Sequence, residues 1–124
     1  MTARDLTEAL ARAARDGSKG DMLRLVRQFL HTAERVADVA SLIASDPGTT
    51  NDRRWDALIA GAVEDLAIRH GVNVPGWTMA ARRYLDEPWY VMDFASPNRA
   101  VQAETPPALA DHGVYIRFSA LANV

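Results

Sequence analysis

From Met22 the apolar residues recur as Met22, Val26, Phe29, Ala33, Val36, Ala40 and Ile43, in alternating steps of four and three. A strand alternates its faces every second residue and cannot use that period, whereas a helix with one buried face can. Leu25, Leu30, Val39 and Leu42 widen the stripe beyond a two-stranded coiled-coil seam and point to bundle packing. Ser18 and Asp21 offer a capping pair at its start, and Asp46-Pro47-Gly48 a stop. A single helix of this extent would be about 35–40 Å long.

The flanking segments read as shorter helices. Thr2 and Asp5 form a capping-box pattern, Leu6, Leu10 and Ala13 follow on one face, and Gly17 offers a left-handed stop. That face is thin, so residues 1–17 are expected to be peripheral, fraying or leaning on a partner. In "DRRWDALIAGAVEDLAIRHG", Asn51 or Asp52 can cap, and Trp55, Leu58, Ile59, Ala62, Leu66 and Ile68 give the buried face before Gly71. Gly61 costs about 0.5–1 kcal/mol against alanine inside a helix, which suits close approach of a neighbouring helix. The expected scaffold is an antiparallel hairpin of this helix and the long one, meeting through Phe29, Val36, Trp55, Ile59 and Leu66. Beyond it, a short helix is expected over Thr78–Leu85. Ser96-Pro97 and Thr105-Pro106 are helix-start signals, and Gly113 closes the second helix. "VYIRF" alternates as a half-buried strand that needs a pairing partner, in a small ribbon or a dimer. The fold class is therefore mostly α: one domain over 1–124, a helical hairpin or bundle with short C-terminal helices and a small β element.

Charge and composition narrow the function. With 14 basic and 16 acidic residues the chain carries a net −2, and neither half holds the positive excess that phosphate neutralisation demands. No direct nucleic-acid partner is expected. The absence of cysteine excludes disulfides and thiolate metal sites. No stretch reads as a signal peptide or a membrane span, so the expected location is cytoplasmic, without a membrane partner. His31, His70 and His112 fall on separate elements with no paired-ligand spacing, so no metal or cofactor is expected. His70, beside Gly71, suits a helix C-terminus. Glu64-Asp65 reads as a solvated helix face and Asp86-Glu87 as a helix end. Arg53 and Arg54 could hold a phosphate, and cap-region charges with a salt bridge to Asp56 or a later acid explain them as well. No catalytic residue stands out.

What stands out is "RRYLDEPWYVMDF". Five of nine aromatic residues, Trp77, Tyr84, Trp89, Tyr90 and Phe94, fall within eighteen positions. Each ring can bury on the order of 150–250 Å², and the tyrosines and tryptophans also need hydrogen-bond partners. Trp77 and Phe94 are assigned to the core. Tyr84, Trp89 and Tyr90, with the acids Asp86, Glu87 and Asp93, are assigned in part to a rim available to a partner. An alternative is a ligand-binding protein or enzyme with a pocket walled by Trp77, Trp89 and Tyr90. A dimeric DNA-binding regulator is a further alternative.

The segments "DRRWDALIAGAVEDLAIRHGVNVPGWT", "RRYLDEPWYVMDF" and "ETPPALADHGVYIRFSAL" together resemble a family of small actinobacterial proteins and domains. Its pattern is a DxRWDALxAxxxExLA helix, a P-x-W turn, an R-[FY]-L-D-x-x-W-[FY] stretch and a closing G-[IV]-x-[IV] strand. Members stand alone or follow a helix-turn-helix domain and are encoded beside nucleotidyltransferase-like toxins. The resemblance spans residues 20–121 and implies a toxin-antitoxin system. On that reading the chain is a non-catalytic antitoxin, not an enzyme, whose partner is a cognate toxin protein, with a homodimer as a further option. The family pattern carries no catalytic residues, and no helix-turn-helix segment is expected within these residues, so regulation of its own promoter is not implied.

Overall fold

Two capping boxes start the first two helices. In α1 (Ala3–Asp16) the Asp5 N–H donates to Thr2 Oγ1 at 3.2 Å, while the Thr2 N–H donates to the Asp5 carboxylate at 2.9 Å. Ser18 and Asp21 repeat the exchange at the head of α2 (Lys19–Ala33). Each box satisfies two otherwise unpaired N–H groups and sets an acid at the positive end of the helix. The computed structural model describes residues 1–92 and 98–122. Phe94 and the Ser96-Pro97 signal lie outside the described residues.

Gly17 joins the two helices in extended backbone (φ −103°, ψ 170°), not in the left-handed stop expected of it. Its lack of a side chain matters for space, since a Cβ there would stand 2.7 Å from the Ala13 carbonyl oxygen. The chain folds back, and α1 lies on α2 and reaches α4. Ala3, Leu6, Thr7 and Leu10 are buried by this packing, so α1 is part of the core and not the peripheral helix its thin face suggested.

The long stripe does not form one helix. α2 ends at Ala33, where the Arg35 and Val36 N–H groups bond three residues back, to Thr32 and Ala33. Asp38 then competes for the backbone, capping α3 (Val39–Ile43) by accepting from the Ser41 N–H. The expected 35–40 Å rod becomes fifteen residues, about 22 Å, plus a separate turn of helix. Val36 at 37 % exposure faces solvent, whereas Val39 and Ile43 are buried.

α4 (Arg53–Arg69) is capped by Asp52 and is the element around which the rest gathers: α1, α3, α6 and the strand β2 all pack on it. Phe29, Trp55, Ile59 and Leu66 share one core. The tight helix pairs, however, are α1 with α2 and α4 with α6, where a hairpin of α2 with α4 was expected. Ile68, at 60 % exposure, is not on the buried face. Gly61 is where α6 (Pro107–Asp111) comes closest. A Cβ there would stand 2.8 Å from Leu109 Cδ2 and 3.0 Å from its Cα. Gly61→Val should therefore destabilise the fold by about 1–3 kcal/mol despite removing a helix glycine. Denaturant unfolding checks this, and an unchanged midpoint would contradict the close approach.

After α4, two 3-10 turns (Gly76–Met79 and Ala81–Arg83) replace the single helix expected over 78–85. β1 (Trp89–Tyr90) pairs in parallel with β2 (Val114–Tyr115), in the register Trp89↔Val114 and Tyr90↔Tyr115. The strand read from "VYIRF" thus finds its partner within the chain, in the aromatic stretch itself. Between them run α5 (Asn98–Glu104) and α6, and α7 (Phe118–Ala122) follows. Thr105 does not cap α6. Its hydroxyl donates to the Val101 carbonyl at 2.7 Å and accepts from the Ile116 N–H at 3.1 Å, tying α5 to the residue that follows β2. Phe118 starts α7 at 39 % exposure instead of extending the strand. The fold is mostly helical with one small, open, two-stranded sheet. Among the described residues no helix is long and apolar enough to cross a membrane.

Candidate functional site

The aromatic stretch is held from below by a buried arginine. Arg83 is fully enclosed: Nη1 donates to the Asp56 carbonyl at 3.1 Å and Nη2 to the Gly48 carbonyl at 2.7 Å. Nη2 also reaches Asp46 Oδ1 at 3.4 Å, and the guanidinium lies 4.6 Å from the Trp77 ring centre. Burial pushes the Arg83 pKa down from its ordinary value, with the Arg82 charge adding and Asp56 and Asp46 opposing. Asp56, also buried, accepts from the Thr50 N–H and hydroxyl, each at 2.8 Å, and from the Thr49 hydroxyl. The loop between α3 and α4 is thereby fixed from both ends, by Asp56 and Arg83.

The Gly48 N–H donating to Asp46 holds that carboxyl below the usual carboxylate range, against some burial and with help from Arg83 and Arg82. A folded-state pKa below the unfolded value contributes stability above the unfolded pKa, near 3.9, and loses it as pH falls through the folded value. Asp46→Asn should therefore be less stable than wild type at neutral pH and should lose less stability on acidification below about pH 4. Urea midpoints at a series of pH values test this, and parallel acid limbs would refute it.

His112 is the second buried polar residue under the stretch. Its Nδ1 lies 2.7 Å from the Arg83 carbonyl oxygen, which only accepts, so Nδ1 carries the proton. Nε2 stands 3.4 Å from Glu64 Oε1. Glu64 is thus turned inward toward His112, a correction to the solvated face read for it, while Asp65 pairs with Arg69 at 2.8 Å. Tyr84 stacks on the imidazole at 4.2 Å between centroids. Burial, then Glu64 and Asp111, push the Tyr84 phenol pKa up. His70 stands at the C-cap of α4, as its neighbour Gly71 suggested.

The residues assigned to a partner face divide. Trp89, at 7 % exposure, belongs to the core, edge-on to Trp55 at 5.2 Å, so its assignment to the rim is corrected: strand pairing drew it inward. Tyr90 is half-buried, stacked on Tyr115 at 5.0 Å, with its hydroxyl accepting from Gln102 Nε2 at 2.6 Å. Tyr84 is half-buried on His112, and Asp86 and Glu87 are exposed, the Asp86 side chain to 91 %. Arg53 stands 3.9 Å from Asp86, the later acid expected to pair with it, and also donates to the Tyr84 carbonyl. Asp93 lies outside the described residues. Trp77 is half-buried against the core, its indole N–H donating to the Ile43 carbonyl at 2.8 Å.

A cleft of about 430 Å³ opens beside β1, between Trp89, Tyr90 and Pro88 on one side and Lys19, Asp52 and Arg54 on the other. Trp77 is not among its lining residues, which departs from the pocket of Trp77, Trp89 and Tyr90 read in the sequence. Among the described residues no group of three or more His, Asp or Glu side chains is placed to hold a metal ion. No family model, no curated protein and no solved structure matches this chain.

Proposed function

We propose that the chain is a non-catalytic binding protein that neutralises a cognate toxin enzyme of the nucleotidyltransferase-like class. The class comes from the resemblance carried by the DRRWDAL, RRYLDEPWY and GVYI segments. The observation that supports a protein-binding face is the pair of braced tyrosines. Tyr84 on His112 and Tyr90 on Tyr115 flank the exposed Asp86 and Glu87. Rings already held by stacking lose little freedom on docking, which is the property of interface anchors. The acids steer a basic partner weakly, because Arg53 offsets Asp86.

Co-expression with the toxin-like product of a neighbouring gene tests the reading. Relief of growth arrest and a stoichiometric complex are expected. Tyr90→Ala should keep its fold and bind roughly thirtyfold more weakly, the loss of about 2 kcal/mol typical of a hot-spot ring. Full neutralisation without any complex, or unchanged affinity in both Tyr84→Ala and Tyr90→Ala, would rule out this face.

A further inference from the structure

Tyr84, one of the two rings of the proposed partner face, rests on a side chain that solvent does not reach. His112 is fully buried at the C-cap of α6, and the two rings stack 4.2 Å apart with 13° between their planes. The Nδ1 proton is committed to the Arg83 carbonyl, so Nε2 is left facing Glu64 Oε1 at 3.4 Å. An imidazole nitrogen without a proton and a carboxylate oxygen both only accept. The contact between them holds only with a proton in it. An ordinary histidine is more basic than an ordinary carboxylic acid by about two pKa units, which favours the imidazolium. Burial of the ring opposes its charge, but Glu64 keeps 14 % side-chain exposure, so its own charge is partly hydrated. The π face of Tyr84 and the C-terminal end of α6 each favour a cation at this place. The other charges around the ring are few. Asp111, the last residue of α6, acts on the Tyr84 phenol, as Glu64 does from α4. Arg83 opposes a second cation, but its guanidinium is turned to the Asp56 and Gly48 carbonyls and to Asp46, which also takes Arg82. From β2, Tyr115 is stacked on Tyr90 instead.

We propose that Glu64 holds His112 as a buried imidazolium, and that this charge fixes Tyr84 in the orientation the partner meets. The proton is thereby a control on binding. Without it Tyr84 loses the cation beneath its face, and the ring must be ordered at the moment of docking. The control rests on the partner reading; the place of the proton does not.

NMR of the free chain tests the proton first, through the His112 ring nitrogens and the Glu64 carboxyl carbon. Two N–H signals from His112 beside an ionised Glu64 are expected at neutral pH. Glu64→Gln should keep the fold, because that side chain reaches solvent and glutamine matches its shape. Its amide can donate to Nε2, so His112 should then show the Nδ1 proton alone. The toxin-like product of the neighbouring gene should bind Glu64→Gln roughly two- to tenfold more weakly than wild type, the ordering cost of one side chain. In a Tyr84→Ala background the same change should have no further effect, since the charge acts through the ring. Wild-type affinity should fall along the curve on which His112 gives up its second proton as pH rises, and Glu64→Gln should lack that step. A single N–H on His112 in the wild type, a protonated Glu64, or a loss from Glu64→Gln that persists without Tyr84 would each overturn the proposal. Wild-type affinity in both Tyr84→Ala and Glu64→Gln would overturn the control together with Tyr84's place on the partner face, and the two nitrogen signals distinguish that failure from a misplaced proton.

Discussion

Replacing Trp89 by alanine is expected to lower the unfolding free energy by about 3–5 kcal/mol, the usual cost of deleting a buried aromatic ring. The ring is enclosed, meets Trp55 edge-on and sits where β1 pairs with Val114. Its removal leaves a void that surrounding side chains fill only partly, and the edge-to-face contact is lost as well. Tyr90→Ala, one residue along on the other face of the strand, should cost far less, because that ring is only half-buried. Denaturant unfolding of both proteins gives the comparison. Equal losses would mean that Tyr90, not Trp89 alone, carries the core. A Trp89→Ala protein melting beside wild type would remove the ring from the core altogether.

Arg83→Ala is expected to cost about 3–5 kcal/mol by a different route. The substitution takes a donor from each of the Gly48 and Asp56 carbonyls, removes the enclosed partner of the Asp46 carboxylate and empties a fully buried side-chain volume. It also uncovers the face of Trp77. Arg83→Met keeps most of the volume and removes the desolvated charge, so it should recover part of the loss, as apolar replacement of buried charge often does. If methionine proves as damaging as alanine, the lost hydrogen bonds dominate. If neither changes stability, the loop between α3 and α4 stands without its arginine.

How far the fold could be read in advance depended on the range of the forces involved. The caps at Thr2, Ser18 and Asp52, the body of α4 and the closing Gly113 (φ +83°) are set by neighbours in sequence, and all appear as read. The break after Ala33 was hidden, because the apolar period continues through it while Asp38 and Ser41 form a second cap inside the stripe. The helix pairing also escaped, since Gly61 announced a close neighbour without saying that it would be Leu109. The aromatic stretch misled for a related reason. Alternation put "VYIRF" in a strand, but nothing local named Trp89-Tyr90 as its partner. Glu64 read as a solvated helix face until the chain brought it beside the buried His112, and nothing local announced that Arg83 and His112 would be enclosed. The cleft joins residues from α2, α4 and β1, and no spacing in a linear sequence displays that.

The parallel pairing of β1 with β2 has a consequence for synthesis. The Trp89 N–H donates to the Gly113 carbonyl, and the Val91 N–H to the Tyr115 carbonyl, across more than twenty intervening residues. The packing of α1 on α2 and on α4 joins elements made early in the chain, while α2 also receives α7, from residues 118–122. The order in which the halves close is therefore fixed by covalent distance, since contacts across long loops must wait until loop closure is repaid. On a growing chain, Trp89 and Val91 wait for their strand partner until residues 113–116 have been made, so the apolar edge of β1 is exposed to a chaperone, or to another nascent chain, while the intervening twenty-odd residues are added.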